Sequence, residues 1–172
     1  MTAKAEITGD FGGRIIHPQH WPEDLDYAGK KVVVIGSGAT AVTLVPALAN
    51  DAAKVTMLQR SPTYIATVPE RNRLADLLRK VLPDRWSGPI LRWMMAVGTQ
   101  SLFHLSKRRP DLVRKMLLKG VARQLPADYD VAKHFTPSYD PWDQRLCAVP
   151  DGDLFEAIRD GRAEVATDHV ER

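Results

Sequence analysis

Two glycines in the segment GSGATA, at positions 36–41, are spaced to build a binding turn for a phosphate-containing ligand. Gly36 suits a tight turn after a strand, because glycine adopts backbone conformations that a side chain excludes. Gly38 would let the main chain approach a pyrophosphate, and Ala41 is small enough for close packing of a helix on a strand. The helix that begins here would offer N–H groups and the positive end of its dipole to the anion. The candidate binding residues are Gly36, Ser37, Gly38, Ala39, Thr40, Ala41, Val42 and Thr43.

The neighbouring sequence supplies the context that such a turn requires. The run KVVVI, at 31–35, is short, continuous and rich in β-branched residues, which is typical of a strand buried in a parallel sheet. Apolar residues at helical spacing follow the turn, and VTML at 55–58 predicts a second strand. The order strand, glycine turn, helix, strand predicts a βαβ unit. A plain turn between strand and helix, without a ligand, is the alternative.

The end of the second predicted strand indicates which dinucleotide would bind. Proteins that bind NAD place an acidic residue about 20 residues beyond the glycine turn, where it holds the ribose 2′-hydroxyl. Here Gln59, Arg60 and Ser61 stand at that point, and none of them is acidic. A guanidinium matches a 2′-phosphate in charge and in planar geometry. Arg60 and Ser61 are therefore candidate cofactor-binding residues that favour NADPH over NADH, with a solvated surface arginine as the alternative.

A third group of residues precedes the first strand. The segment FGGRIIHPQHWP, at 11–22, contains the pattern F-x-G-x-x-x-H-x-x-x-W-P. This pattern resembles the fingerprint of the Baeyer–Villiger monooxygenases at every fixed position. The resemblance continues through 17–26, 34–43 and 141–147, and it is strongest to the ethionamide-activating branch of that family. A metal site on His17 and His20 is a poor alternative, because the nearby sequence offers no third ligand.

The resemblance implies an enzyme that binds FAD and NADPH. Such an enzyme uses O2 to insert one oxygen atom into a ketone, or to oxidise a sulfur substrate such as a thioether or thioamide. The fingerprint histidine of the family helps to couple cofactor binding to domain movement, which implies that role for His17. An arginine near the flavin stabilises negative charge and contacts the nicotinamide, which implies that catalytic role for Arg145. Many members carry a lysine just before this arginine; Gln144 stands here and leaves more of the phosphate binding to Arg60.

The sequence as a whole predicts an α/β fold. It would be a Rossmann-like NADPH-binding domain with an inserted helical region, and a fragment of a flavoprotein that has two dinucleotide-binding domains. We expect a fingerprint linker at 1–29, the Rossmann-like parts at 30–61 and 144–172, and an insert of about three helices at 62–143. Inside these parts, 134–150 is expected to be a loop, 154–159 a short helix and 163–166 a strand.

The sequence contains one glycine-rich turn, which is assigned to NADPH. We therefore expect the FAD site to lie in a missing flavin domain, and this chain alone to be inactive. Two other functions stay open: an NADPH-dependent reductase, and a catalytically dead module for nucleotide binding or interaction.

Composition and charge argue against several other classes. The 172 residues are 44% hydrophobic and 26% charged, as in globular domains, and the net charge of +3 gives no reason to expect a nucleic-acid partner. Basic residues at 107–123 alternate with Leu and Val at helical spacing, which favours solvated helix faces over a nucleic-acid or membrane patch. Cys147 is the only cysteine, and no apolar run approaches the roughly 20 residues of a membrane span. We therefore expect a cytoplasmic protein without a metal site.

Overall fold

The computed structural model describes residues 11–69 and 73–168 of the chain, apart from the side chains at 73, 74 and 84. In chain order, its elements are a short 3-10 helix (Pro18–His20), β1 (Lys31–Ile35), α1 (Ala39–Leu48), β2 (Lys54–Gln59), β3 (Tyr64–Val68), α2 (Arg73–Val81), α3 (Asp84–Arg108), α4 (Pro110–Ala122), α5 (Val131–Phe135), β4 (Leu146–Pro150), α6 (Asp153–Arg159) and β5 (Ala163–Thr167).

A three-stranded parallel sheet has the strand order β1-β2-β5. Its register pairs Ile35 with Leu58, and Gln59 with Thr167, so that the carboxyl ends of the three strands lie along one edge. The strands, the helix after the glycine turn and the short helix α6 confirm the α/β fold that the sequence predicts.

Helices α1 and α6 cover one face of this sheet. Val42 and Val45 of α1, Met57 of β2 and Leu154 of α6 are completely buried there. Complete burial of one such side chain contributes about 1.5–3 kcal/mol relative to exposure. The opposite face is open in the described part of the chain, because Val33 and Ile35 of β1 remain more than half exposed.

Strands β3 and β4 form a second parallel pair, in which Tyr64 lies opposite Leu146 and Val68 opposite Pro150. The sequence-based prediction was wrong at both strands: β3 lies inside the expected helical insert, and β4 lies inside the expected loop at 134–150, whose first two residues also belong to α5. Parallel strands need a long crossover connection. Helices α2 to α5 supply it, so neither strand has its partner nearby in the sequence.

The insert carries an exposed helix. α3 is 25 residues long, and every residue from 92 to 102 is exposed, including Trp93 at 68% and Met95 at 56%. α4 is amphipathic instead, since Val113 and Val121 are buried while Leu112 and Met116 are at least half exposed. Among the described helices, none combines the length and the apolar character needed to cross a membrane.

The exposed apolar surface predicts self-association of this chain, because contiguous apolar patches of a few hundred Å² commonly mark interfaces or aggregation sites. Sedimentation velocity over a concentration series should detect oligomers at micromolar concentration. Trp93→Ser should reduce them with little change in the free energy of unfolding, since Trp93 is 68% exposed. Val121→Ser, at a buried position, should instead destabilise the fold. A wild-type chain that stays monomeric would contradict this expectation.

Candidate functional site

The glycine turn after β1 depends on the backbone of Gly36. Its φ angle is +128°, a conformation that side-chain-bearing residues rarely adopt. The Gly36 N–H donates a hydrogen bond of 2.8 Å to the carbonyl of Leu58 on β2. The added Cβ of a substituted residue would meet nothing within 4 Å, so the demand for glycine is conformational and not steric.

The N-terminus of α1 presents an open main-chain surface. Gly38 caps the helix with φ −80° and ψ −179°, and no described side chain bonds to the cap. The first bond along the helix runs from Val42 N–H to Gly38 O at 3.1 Å, so the amides of 39–41 precede the hydrogen-bond ladder. A Cβ on Gly38 would likewise meet nothing within 4 Å and would occupy the space in front of the turn. These features fit a pyrophosphate, which needs N–H donors and a close approach to the backbone.

Ser37 is directed into the protein. Its hydroxyl lies 3.1 Å from that of Thr63 and donates to the carbonyl of Ser61 at 3.3 Å, and the Cys147 thiol donates to the Ser37 carbonyl at 3.6 Å. Ser37 and Thr63 are 6% and 1% exposed. The Ser37 hydroxyl thus links the turn to the segment after β2, and its side chain is buried.

The other predicted residues of α1 differ in exposure. Ala39 and Thr40 are exposed beside the turn, whereas Ala41 and Val42 are buried against the core. The Thr43 hydroxyl donates to carbonyls within its own helix, at 3.1 Å to Ala39 and to Thr40. Ala41 and Val42 therefore hold the helix against the core, whereas Ala39, Thr40 and Thr43 are exposed on the helix surface.

Arg60 follows β2 at the same sheet edge as the glycine turn, two residues beyond the Leu58 carbonyl that binds Gly36. Its neighbour Gln59 is 2% exposed, and the Gln59 amide donates to His134 O at 2.7 Å and to Thr167 Oγ1 at 2.9 Å. The end of the strand is thereby fixed. Arg60 and Ser61 are exposed, so the guanidinium can extend into solvent at the edge where the turn lies.

Arg145 is brought to the same region by β4. It immediately precedes this strand, and the thiol of Cys147, two residues later, contacts the turn at Ser37. Burial raises the pKa of the Cys147 thiol, and the positive charge of Arg145 acts in the opposite direction. Arg145 itself is exposed. The structure therefore places Arg60 and Arg145 on segments that meet at the glycine turn.

His17 belongs to a different part of the structure. It caps the 3-10 helix, where its Nδ1 accepts a hydrogen bond of 3.3 Å from the Gln19 N–H, and its ring lies 6.0 Å from that of His20. Farther along the linker, the Tyr27 hydroxyl donates to Asp51, just after α1, at 3.4 Å. The Tyr27–Asp51 hydrogen bond attaches the end of the linker near the end of α1 that is opposite to the turn, whereas the contacts of His17 stay within the linker. Within 11–69 and 73–168, no group of three or more His, Cys, Asp or Glu side chains could hold a metal ion.

Three buried polar residues near the site were not predicted: Gln59, Thr63 and Tyr64. Gln59 did offer a signal, because a polar residue at the end of an apolar strand needs a buried hydrogen-bond partner. Thr63 and Tyr64 offered none, since their partners Ser37 and Tyr139 are distant in the sequence.

Known proteins resemble the chain along nearly all of its length. It is 58% identical over 164 residues, which is 95% of the chain and 34% of the relative, to the FAD-containing monooxygenase EthA of Mycobacterium tuberculosis. It is 56% identical over 163 residues, 94% of the chain and 32% of the relative, to the probable FAD-binding monooxygenase AlmA of Acinetobacter baylyi. The chain thus spans about a third of the length of these relatives. No protein-family profile matches it.

Solved structures share the fold at low sequence identity. An oxidised steroid monooxygenase bound to NADP aligns with a TM-score of 0.58 and 20% identity, over 86% of this chain and 35% of that one. OTEMO in complex with FAD and NADP aligns with a TM-score of 0.58 and 18% identity, over 91% of this chain and 35% of that one. The fold of the chain is therefore that of a segment of these enzymes.

The two glycines of the turn should respond differently to alanine. Gly36→Ala should lower the free energy of unfolding by about 1–3 kcal/mol, because φ of +128° strains a residue with a Cβ. Gly38→Ala should leave stability unchanged or raise it slightly, since its backbone is extended, but should weaken NADPH binding by filling the space in front of the turn. Urea denaturation and calorimetric titration measure the two effects. Equal NADPH affinity of Gly38→Ala and the wild type would exclude a pyrophosphate here.

Proposed function

We propose that this chain, which is homologous to the FAD-containing monooxygenases along nearly all of its length, is the NADPH-binding segment of a flavin-dependent monooxygenase of the Baeyer–Villiger type. The observation that carries the proposal is the open turn at Gly36 and Gly38, at the sheet edge where β2 ends and is followed by Arg60 and not by an acidic residue. Such an edge, at the carboxyl ends of parallel strands, is where doubly wound folds bind dinucleotides.

The glycine turn would hold the pyrophosphate of NADPH, which supplies a hydride when bound. The N–H groups at the start of α1 would donate hydrogen bonds to the pyrophosphate, and the helix dipole would add favourable charge. Gly36 gives the turn its shape and Gly38 gives the backbone its close approach. Ser37 contributes by anchoring the turn through its buried hydroxyl.

Arg60 would bind the 2′-phosphate that distinguishes NADPH from NADH, with Ser61 beside it. A guanidinium pairs with a phosphate through two parallel N–H···O bonds, which suits a permanent cation at a strand end. The hydrogen bonds of the buried Gln59 amide hold the end of β2 in place, and they thereby fix the main chain from which the Arg60 side chain extends.

Arg145 would serve the reacting end of the cofactor. Its position beside the Ser37 turn is compatible with a nicotinamide that extends from the pyrophosphate toward β4. FAD, bound by another part of the complete enzyme, would supply the oxygen activation. A guanidinium keeps its charge at all relevant pH values and can stabilise the negative charge that this chemistry develops. His17 would act in the linker, through domain movement and not at the turn.

The complete enzyme would use O2 to oxygenate a small ketone, thioether or thioamide, in the cytoplasm. We divide the chain accordingly into the linker 1–29, the NADPH-binding parts 30–61 and 144–172, and the insert 62–143. Strand β3 of the insert pairs with β4, which belongs to the second NADPH-binding part.

Cofactor choice tests the proposal. Arg60→Ala should cost about 1.5–3 kcal/mol in NADPH affinity, the range for a hydrogen bond to a charged group, and should hardly change NADH affinity. Arg123→Ala, at an exposed arginine beyond α4, is the matched control and should change neither. Calorimetric titration of the chain with both cofactors gives the four affinities. Equal losses for NADPH and NADH in Arg60→Ala would show that Arg60 does not bind the phosphate, and no binding of either cofactor would overturn the proposed function.

A further inference from the structure

The loop that carries Arg145 is held by side chains from β3, α3 and α4. We propose that Tyr139 is a positioning residue, which fixes the main chain of Arg145 and thereby directs the guanidinium toward the nicotinamide half of NADPH. This inference rests on the proposed function, in which Arg145 contacts that half of the cofactor.

Tyr139 contacts Arg145 directly. Its hydroxyl donates a hydrogen bond of 3.0 Å to the Arg145 carbonyl. The next residue, Leu146, is already paired in the sheet with Tyr64. Two consecutive residues are therefore fixed, and the hydroxyl of Tyr139 sets the angle at which the chain enters β4.

Tyr139 is itself held by a buried tyrosine. The Tyr64 ring lies edge-on to the Tyr139 ring, with centroids 5.4 Å apart and planes at 87°, and the Tyr64 hydroxyl donates to the Tyr139 carbonyl at 2.9 Å. Arg114 of α4 donates to the Tyr64 hydroxyl at 3.0 Å and to the Asp140 carboxylate at 2.5 Å. Tyr64 is 1% exposed, so this support is part of the core.

The backbone between Tyr139 and Arg145 is also constrained from α3. Trp142 has φ of +71°, a left-handed conformation that non-glycine residues adopt only when their surroundings impose it. Its ring lies edge-on to Phe103, with centroids 6.1 Å apart, and Lys107 forms an ion pair with Asp143. A strained, multiply anchored segment next to an exposed arginine is typical of a functional loop whose geometry must be defined in advance.

Two ligands separate positioning from general stability. NADPH contains both the 2′-phosphate and the nicotinamide, whereas adenosine 2′,5′-bisphosphate contains only the adenosine part and its phosphates. Arg60 should contact both ligands, and Arg145 only the first. A loss of fold would lower the affinity for both.

The experiment is a calorimetric titration of the 172-residue chain with each ligand. Tyr139→Phe keeps the ring and removes the hydroxyl, and it should weaken NADPH binding about threefold to tenfold, the range for one uncharged hydrogen bond, without affecting adenosine 2′,5′-bisphosphate. The effect should vanish in the Arg145→Ala background, because the two residues act through one interaction. Tyr27→Phe removes a hydroxyl that bonds to Asp51 near the other end of α1, and should change neither affinity.

The outcomes distinguish the inference from its premise. If Arg145→Ala weakens NADPH binding but Tyr139→Phe does not, the positioning role is wrong and the proposed function stands. Equal weakening of both ligands by Tyr139→Phe would assign Tyr139 to stability alone. If Arg145→Ala has no effect, or the chain binds no NADPH, the role of Arg145 and this inference fall together. Circular dichroism verifies that each variant folds. If Tyr139→Phe does not fold, Tyr64→Phe takes its place, because it removes the hydrogen bond to the Tyr139 carbonyl. Tyr64→Phe should then weaken the binding of NADPH and not that of adenosine 2′,5′-bisphosphate.

Discussion

The buried hydroxyl of Ser37 is the contact on which the site depends. It joins the turn after β1 to Ser61 and Thr63, which follow β2, while the Ser37 carbonyl accepts the thiol hydrogen bond of Cys147 on β4. Three separate segments of the chain meet at this one residue. A buried hydroxyl without hydrogen-bond partners would cost free energy. The Ser37 hydroxyl must therefore keep its partners, and this requirement fixes how the segments are placed relative to each other. The glycine turn therefore has fixed neighbours on both sides.

Two arginines are placed near this turn by different parts of the chain. Arg60 directly follows β2, which is the next strand after α1 and ends at the same sheet edge. Arg145 arrives only after the chain has passed through α2 to α5 and returned as β4. The helical insert thus separates the residue assigned to the 2′-phosphate from the residue assigned to the nicotinamide. The insert also supplies Phe103 and Lys107, which contact the loop before Arg145 at Trp142 and Asp143. The position of Arg145 therefore depends on the packing of the insert.

Local patterns in the sequence predict the Rossmann-like part well. The strand at 31–35, the glycine turn, the arginine that follows β2, and α6 after its turn all depend on residues close together in the chain. The pair β3–β4 was not predicted, although Tyr64 to Val68 is rich in aromatic and β-branched residues, because its partner lies beyond the insert. Pro150 at the end of β4 also favoured a loop. The inward direction of Ser37 and the role of Tyr139 depend on such distant contacts, so composition and spacing could not reveal them.

NADPH binding is assigned above all to the turn at 36–41. Its most direct test is a titration of the isotope-labelled chain with NADP⁺, followed by nuclear magnetic resonance. We expect saturable shifts of the backbone amides of Gly38, Ala39 and Thr40, together with that of Arg60. Gln100 and His104 on exposed α3 should not shift. Saturable binding that shifts amides elsewhere and leaves the amides of the turn unchanged would show that the turn is not the NADPH-binding site.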